Sequence, residues 1–327
     1  MPNLKHGRPT ARAKAREPRF GLRMPAQGTP APFRVLVSTR WLAFGTGLGL
    51  AGLVALVRAP QRWLALLKSM VVAGLTATIL AVAEARRLRF ESIPVPVVDL
   101  PGQLDGLKVV QLTDLHLGSL FSAAKLRRAK AWLAQVQPDM IVLTGDFISH
   151  ERDIGLLRAG LADIRAPLGV YAVLGNHDYW TNIPAIEHIF HKHGVVLLRN
   201  ERRLLDLAGA SLCIVGIDCV WEQLHDLAKG LCGRPPGATT LVLVHEPDTA
   251  DDIAQYGAAL QLSGHTHAGH FAVPGLGPAF LPRHGLLYFR GLQRVGGMWL
   301  YVSRGLGGFP LRLGSSPEAT LLTLRKG

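Results

Sequence analysis

From about residue 91 the chain alternates short apolar runs with stretches of helical spacing, the pattern of strands joined through helices. Apolar strands are predicted at 108–112, 140–143 and 170–174, at 195–198, 203–207 and 211–217, at 240–244 and 258–262, and at 286–290, 298–303 and 319–325. Helical spacing fills 123–136, 154–164 and 184–193, with a further helix near 221–231. Such alternation belongs to the α/β class.

The first 90 residues follow a different rule. Residues 41–57 and 69–83 contain no charge, and each run falls a little short of the roughly 20 residues that span a bilayer. Extending the first back to Val35 admits only Arg40, and extending the second back to Trp63 admits only Lys68. Both cations then lie near helix ends, where long side chains reach the interface. Trp41 and Trp63 stand where interfacial aromatics belong. The expectation is a helical membrane hairpin, about 35–57 and 63–83, turning around Ala59-Pro60-Gln61. One span with the second apolar helix buried or interfacial is the alternative. A cleaved signal peptide fits poorly, because the basic lead is long and no small-x-small site follows a short apolar core. Residues 1–34 lack apolar periodicity and read as a disordered basic tail suited to anionic headgroups. The domain plan is therefore 1–34, 35–90 and 91–327.

Charge supports this division. The net charge of +13 resolves into nine Lys/Arg against one acid in 1–40, six against one in 41–90, and an even balance in 91–327. A nucleic-acid-binding domain carries its own basic excess, so no nucleic-acid partner is expected. Three cysteines without a CxxC pair exclude a disulfide framework and a cysteine zinc site. Basic residues before the first apolar run and after the second favour both on the cytoplasmic side, placing a two-span protein's C-terminal domain on the cytoplasmic face of the inner membrane. A single span would place it outside. Unpaired cysteines lean toward the reducing side.

The candidate chemistry is positional. Five predicted strands each end in metal-capable residues: Asp114 with His116, Asp146, Asn176 with His177, His245, and His265 with His267. Singly, each cluster is ordinary cap or turn chemistry. Together they can converge, because ligands in open α/β sheets bind beyond the carboxyl ends of strands. Gly145, Gly175 and Gly264 precede ligand positions and allow sharp turns and close backbone approach. A nitrogen-and-oxygen donor set suits Mn, Fe, Zn or Co better than Ca or Mg. Seven candidate ligands exceed what one ion needs and suit two ions sharing a carboxylate.

The blocks TDLHLG (113–118), GDF (145–147), GNHD (175–178), VHEPD (244–248) and GHTHAGH (264–270) resemble the five signature blocks of the calcineurin-like metallophosphoesterases, over roughly 105–325. The flanking segments resemble a bacterial, membrane-anchored branch that includes phosphodiesterases and UDP-2,3-diacylglucosamine pyrophosphatases. The resemblance implies a two-sheet α/β sandwich following the membrane hairpin. It also implies one ion on Asp114, His116 and His267, a second on Asn176, His245 and His265, and Asp146 bridging them. His177 would face the phosphate and protonate the leaving oxygen or hydrogen-bond the phosphoryl group, with Asp178 orienting its ring. A hydroxide shared by the two ions would attack phosphorus in line. The implied partners are a phosphoester, lipid-linked where the anchor sets the substrate, and membrane lipids. A phosphoprotein monoester phosphatase and a non-catalytic metal-bound membrane scaffold are the alternatives.

Two departures from the branch stand out. Ala268-Gly269-His270 replaces the usual Gly-Gly-Gln, which restricts the loop backbone at Ala268. His270 is expected to face solvent, with a substrate contact as the alternative. Related soluble pyrophosphatases carry a sizeable helical cap, whereas here the 67 residues between His177 and His245 are largely accounted for by strands and short helices, so 221–232 is expected to be a covering helix, with a small lid as the alternative.

Overall fold

The computed structural model describes residues 36–37 and 63–327, apart from residue 274. Its main strands, in chain order, are β1 (Arg89–Val97), β2 (Lys108–Leu112), β3 (Met140–Thr144), β4 (Val170–Val173), β5 (Val195–Leu197), β6 (Glu201–Leu207), β7 (Ala210–Gly216), β8 (Thr239–Leu243), β9 (Leu260–Ser263), β10 (Gly291–Val295), β11 (Met298–Val302) and β12 (Glu318–Lys326). They form two six-stranded sheets, ordered β1-β12-β2-β3-β4-β5 and β10-β11-β9-β8-β7-β6. In the first, β2 to β5 run parallel, and β12 lies antiparallel to β2 and parallel to β1. In the second, β7, β8, β9 and β11 run parallel, flanked by antiparallel β6 and β10.

The central strands are apolar on both faces because both faces are covered. Val109, Val142 and Val173 meet Leu212, Leu241 and Leu262 between the sheets. The alternate residues Val110, Ile141 and Leu143 pack outward under helices α2 (Ser122–Val136), α3 (Ile154–Leu161) and α4 (Ile183–His193). On the far side Val215, Val242 and Leu300 pack with Ala250 and Ile253 of a short helix. The result is the expected two-sheet sandwich between helical layers. Asn182 begins α4 by accepting the N–H of Ala185 at 3.0 Å, and Gly194 ends it with φ 71°.

Before the sandwich comes a 24-residue helix, Trp63–Arg86, here αN. It is long and apolar enough to cross a membrane. Leu67, Met70, Val72, Leu75 and Ile79 are exposed, whereas Ala81 and Ala85 near its end are buried. That end is docked: Lys125 Nζ donates to the Ala85 carbonyl at 3.1 Å, and Glu84 accepts from Gly314 N and Ser316 Oγ. Among the described residues it stands alone where a hairpin was expected. The first expected span, 35–57, lies outside the described residues except for 36–37, as do the turn at 59–61 and the basic tail 1–34. Residues Leu36–Val37 pair antiparallel with Phe280–Leu281.

Three elements differ from expectation, each for a local reason. Strand β1 was not predicted because Pro94 and Pro96 interrupt it. Both have the same parity on an edge strand, so both missing N–H groups fall on the side away from β12. The helix expected near 221–231 is confined to Leu227–Leu231. The buried carboxylate of Glu246 accepts the N–H groups of Val220 and Trp221 and holds the preceding residues in a turn. The strand expected at 286–290 is a loop, because Asp248 accepts the N–H groups of Leu286, Leu287 and Tyr288. Strand β10 begins only at Gly291.

Leu262 is fully buried between the sheets. Leu262→Ala is expected to lower unfolding free energy by about 2–5 kcal/mol, whereas Leu204→Ala on exposed β6 should stay within about 0.5 kcal/mol. Denaturant titration checks both, and equal losses would contradict the placement of the core.

Candidate metal centre

The carboxyl ends of β2, β3, β4, β8 and β9 open toward one point, and each delivers its candidate residues there. Asp114 and His116 follow β2, Asp146 follows β3, and His245 follows β8. Asn176 and His177 begin a one-turn helix after β4, and His265 and His267 follow β9. All seven expected ligands are buried. Ligand atoms of Asp114, His116 and His267 lie within 4.8 Å of one another, as do those of Asp114, Asp146 and His245, and those of His116, Asp146 and His177.

Asp146 stands at the centre. Its Oδ2 lies 3.2 Å from His245 Nε2 and 3.5 Å from His116 Nε2. His267 Nε2 lies 3.3 Å from His116 Nε2 and 3.4 Å from Asp114 Oδ1. The rings are turned by partners outside the cluster. His245 Nδ1 donates to the Thr144 carbonyl at 2.7 Å, leaving Nε2 to face the carboxylate. His265 Nε2 donates to the Arg283 carbonyl at 2.8 Å, leaving Nδ1. His116 Nδ1 sits 2.8 Å from Ser149 Oγ. His245 Nε2 and Asn176 Oδ1 are buried without a hydrogen-bond partner. A buried acceptor facing a carboxylate is costly unless a proton or a cation lies between them.

Protonation tendencies follow from that geometry. Burial favours the neutral form of Asp146, yet His245, His177 and His116 hold its carboxyl well below the usual range. Burial opposes charge on His245, yet Asp146 raises it well above the ordinary imidazole value. Burial pushes Asp114 up to about 7 and His116 and His265 down to about 3. Burial, then the Arg312 guanidinium, keeps His267 well below its usual value. His116, His265 and His267 are thus held neutral beside an ionised Asp146, as a divalent cation requires, whereas His245 and Asp114 hold protons that a bound cation would displace.

The backbone is strained at the same places. Asp114 (φ 50°), His116 (40°), Asp146 (56°), His265 (71°) and His267 (49°) all occupy the left-handed region. That conformation costs an L-residue roughly 1–2 kcal/mol, and such outliers gather at functional sites. Ala268 joins them at φ 51°, so the loop keeps a left-handed turn without the usual glycine. Two glycines serve close approach instead. A Cβ on Gly175 would lie 2.2 Å from Asp146 Oδ1, and one on Gly264 would lie 2.3 Å from Asp114 Oδ2.

Two expected roles change. Asp178 does not orient the His177 ring. Its carboxylate accepts the N–H groups of Asp146 (2.9 Å), Phe147 (2.8 Å) and Gly175 (2.9 Å), so it holds the loop that carries Asp146. His270 does not face solvent. Its ring stacks on His267 at 4.7 Å and lines the pocket, because the left-handed turn at 268–270 folds it back.

The cluster floors a cavity of about 410 Å³. Trp180, Trp221, Phe280, Leu281, Pro282 and Phe309 wall it, and the His177 ring lies between floor and wall, 4.7 Å from His116 and 4.6 Å from Trp180. Among the described residues, no lysine or arginine lines it. Arg312, fully buried, places Nη2 2.9 Å from His267 Nδ1 and donates to the carbonyls of Gly307 and Arg304. Arg312 and most of the wall carried no sequence signal, since they come from loops outside the ligand blocks; Trp180, two residues beyond GNHD, is the wall residue that lies beside one.

Comparison with known proteins gives the same reading of the blocks. Residues 107–269 match the calcineurin-like phosphoesterase family. The uncharacterized metallophosphoesterase YkuE of Bacillus subtilis is 35% identical over 69% of this chain and 82% of its own length. Phosphodiesterase YaeI of Escherichia coli is 30% identical over 66% of this chain and 82% of its own. UDP-2,3-diacylglucosamine pyrophosphatase LpxG of Chlamydia trachomatis is 29% identical over 67% of this chain and 84% of its own.

A cation bound in the cluster should raise the melting temperature by an amount that grows with the logarithm of its concentration above the dissociation constant. Mn²⁺ is expected to raise it for the unaltered chain and to do so far less for Gly264→Ala, whose Cβ displaces Asp114, while the circular dichroism spectrum stays the same. An undiminished rise in the variant would contradict this geometry.

Proposed function

The chain belongs to the calcineurin-like phosphoesterases and is a hydrolase of phosphoesters, and we propose that it is a two-metal phosphodiesterase or pyrophosphatase acting at the membrane. The observation that carries the two-metal reading is the position of Asp146, with Oδ2 within 3.5 Å of ring nitrogens on both sides and a buried, unpartnered His245 Nε2 facing it. Asp114, His116 and His267 would hold one ion; Asn176, His245 and His265 the other; Asp146 both. The mixed donor set suits Mn, Fe, Zn or Co. Ions held there would supply Lewis acidity toward the phosphoryl oxygens and a water acidified enough to attack at neutral pH.

The remaining work falls to side chains. His177 lies against His116 at the edge of the cluster, where its ring reaches a phosphoryl or leaving oxygen above the floor. A positioned imidazole that shares a proton with the leaving oxygen contributes about 10²–10⁴-fold. Asp178 fixes the Asp146 loop, and Arg312 fixes the far side of His267.

The pocket favours a diester or a diphosphate over a monoester. A monoester dianion gains from extra cationic side chains, and among the described residues none lines this cavity. A second substituent on phosphorus needs room and an apolar surface, which Trp180, Trp221, Phe280 and Phe309 provide. The Escherichia coli and Chlamydia relatives are named for these two reactions. The apolar helix αN supports action at the membrane and a lipid-linked substrate. The basic residues on either side of the apolar N-terminal segments support the cytoplasmic face of the inner membrane.

On Mn²⁺-loaded protein, a bis-aryl phosphodiester should turn over faster than the corresponding aryl monoester. His177→Ala should cut that turnover about 10²-fold or more while metal content is retained, and Asp146→Asn should lose both. Faster monoester hydrolysis would favour the phosphatase alternative, and full activity in Asp146→Asn would overturn the metal assignment.

A further inference from the structure

Strand direction ties the apolar helix to the pocket. β1 follows αN directly and runs parallel to β12, which runs antiparallel to β2. Hence β1 begins at the edge of the sheet where β2 ends, and β2 ends at Asp114. The apolar helix therefore leaves the sandwich at the same end that carries the metal cluster.

The contacts around that exit are made by the segments that form the pocket rim. Arg312 N donates to the Ala81 carbonyl at 3.0 Å, and the loop leading to Arg312 carries Gly308 and Phe309 into the pocket lining. The Arg86 guanidinium lies 5.3 Å above the Phe121 ring, next to Leu120. Leu36–Val37, which lead into the uncharged run 41–57, pair with Phe280–Leu281 on the opposite rim. The rim is apolar and open: Leu120 is 58% exposed, Phe309 54% and Phe280 44%. Beside the helix exit are the exposed side chains of Arg86, Arg87 and Arg89, which flank the junction of αN with β1, and of Arg127 and Arg128, the second of which reaches the Leu88 carbonyl.

We propose that this rim is a membrane-contact surface, with Leu120, Phe280 and Phe309 entering the headgroup boundary and these arginines meeting anionic lipid, so that the cavity opens onto the bilayer and not onto bulk water. The inference rests on the membrane placement proposed above for αN, and adds which face of the domain meets the lipid. Three features identify the bilayer as the occupant. The surface is continuous with a helix whose exposed residues are mostly apolar. Its charge is of the sign that anionic headgroups attract. Its bulky residues are single apolar side chains set beside basic ones, the pattern of interfacial anchoring. The apolar part of a phosphoester then reaches the aromatic wall directly from the lipid phase, with the phosphate leading toward the metals.

The test places an environment-sensitive fluorophore on single cysteines in the full chain, reconstituted in phosphatidylcholine–phosphatidylglycerol vesicles. The background is Cys232→Ser, since Cys213 and Cys219 are buried. Labels at Leu120→Cys and Phe309→Cys should be blue-shifted and quenched by lipids bearing a shallow nitroxide. A label at Val98→Cys, exposed at the far end of β1, should be unaffected. Quenching of a Leu75→Cys label on αN by a deep, acyl-chain nitroxide, without shallow quenching at the rim, overturns the proposal and leaves the membrane helix standing. No quenching at Leu75 overturns the membrane placement and the proposal with it. Equal quenching at Val98 and at the rim overturns the assignment of the face.

Discussion

Two carboxylates and four imidazoles, almost wholly buried at the floor of a cavity, cannot be left to themselves. Each buried charge costs several kcal/mol of lost hydration, and each unpartnered acceptor adds its own penalty. At this site His245 Nε2 and Asp146 Oδ2 face one another at 3.2 Å, with the other ring nitrogen already committed to the Thr144 carbonyl. Positive charge between them relieves the conflict. A proton relieves it once; divalent ions relieve it for the whole cluster and bring reactivity with them.

The rest of the fold serves that constraint. Five strand ends from two facing sheets supply the donors, which gives each a different direction of approach. The strained φ values at Asp114, His116, Asp146, His265 and His267 aim side chains that relaxed strand ends would point elsewhere. Asp178, the Thr144 and Arg283 carbonyls and buried Arg312 hold those aims fixed. The sandwich core between the sheets carries the cost of this arrangement.

Much of this was legible in the sequence, because it depends on short-range pattern. Parallel strands covered on both faces read as continuous apolar runs, and β2, β3 and β4 appear within a residue of their expected ends. The ligands were legible because each directly follows such a run. What escaped depends on partners far along the chain. Glu246 and Asp248, inside a ligand block, pin 220–221 and 286–288 by backbone hydrogen bonds and so shorten a helix to 227–231 and abolish a strand that local pattern favours. Asp178 lies next to His177 in sequence, yet its carboxylate turns to the β3 loop. His270 and Arg312 acquire their places only when the 268–270 turn and the 305–316 loop close over His267.

The account stands most directly on the number of ions held. Elemental analysis of the purified chain, after equilibration with Mn²⁺ and removal of unbound metal, should find two ions per chain, with Asp146→Ala losing occupancy at both positions. A single ion per chain, unchanged by that substitution, would contradict a shared carboxylate at the centre of the site.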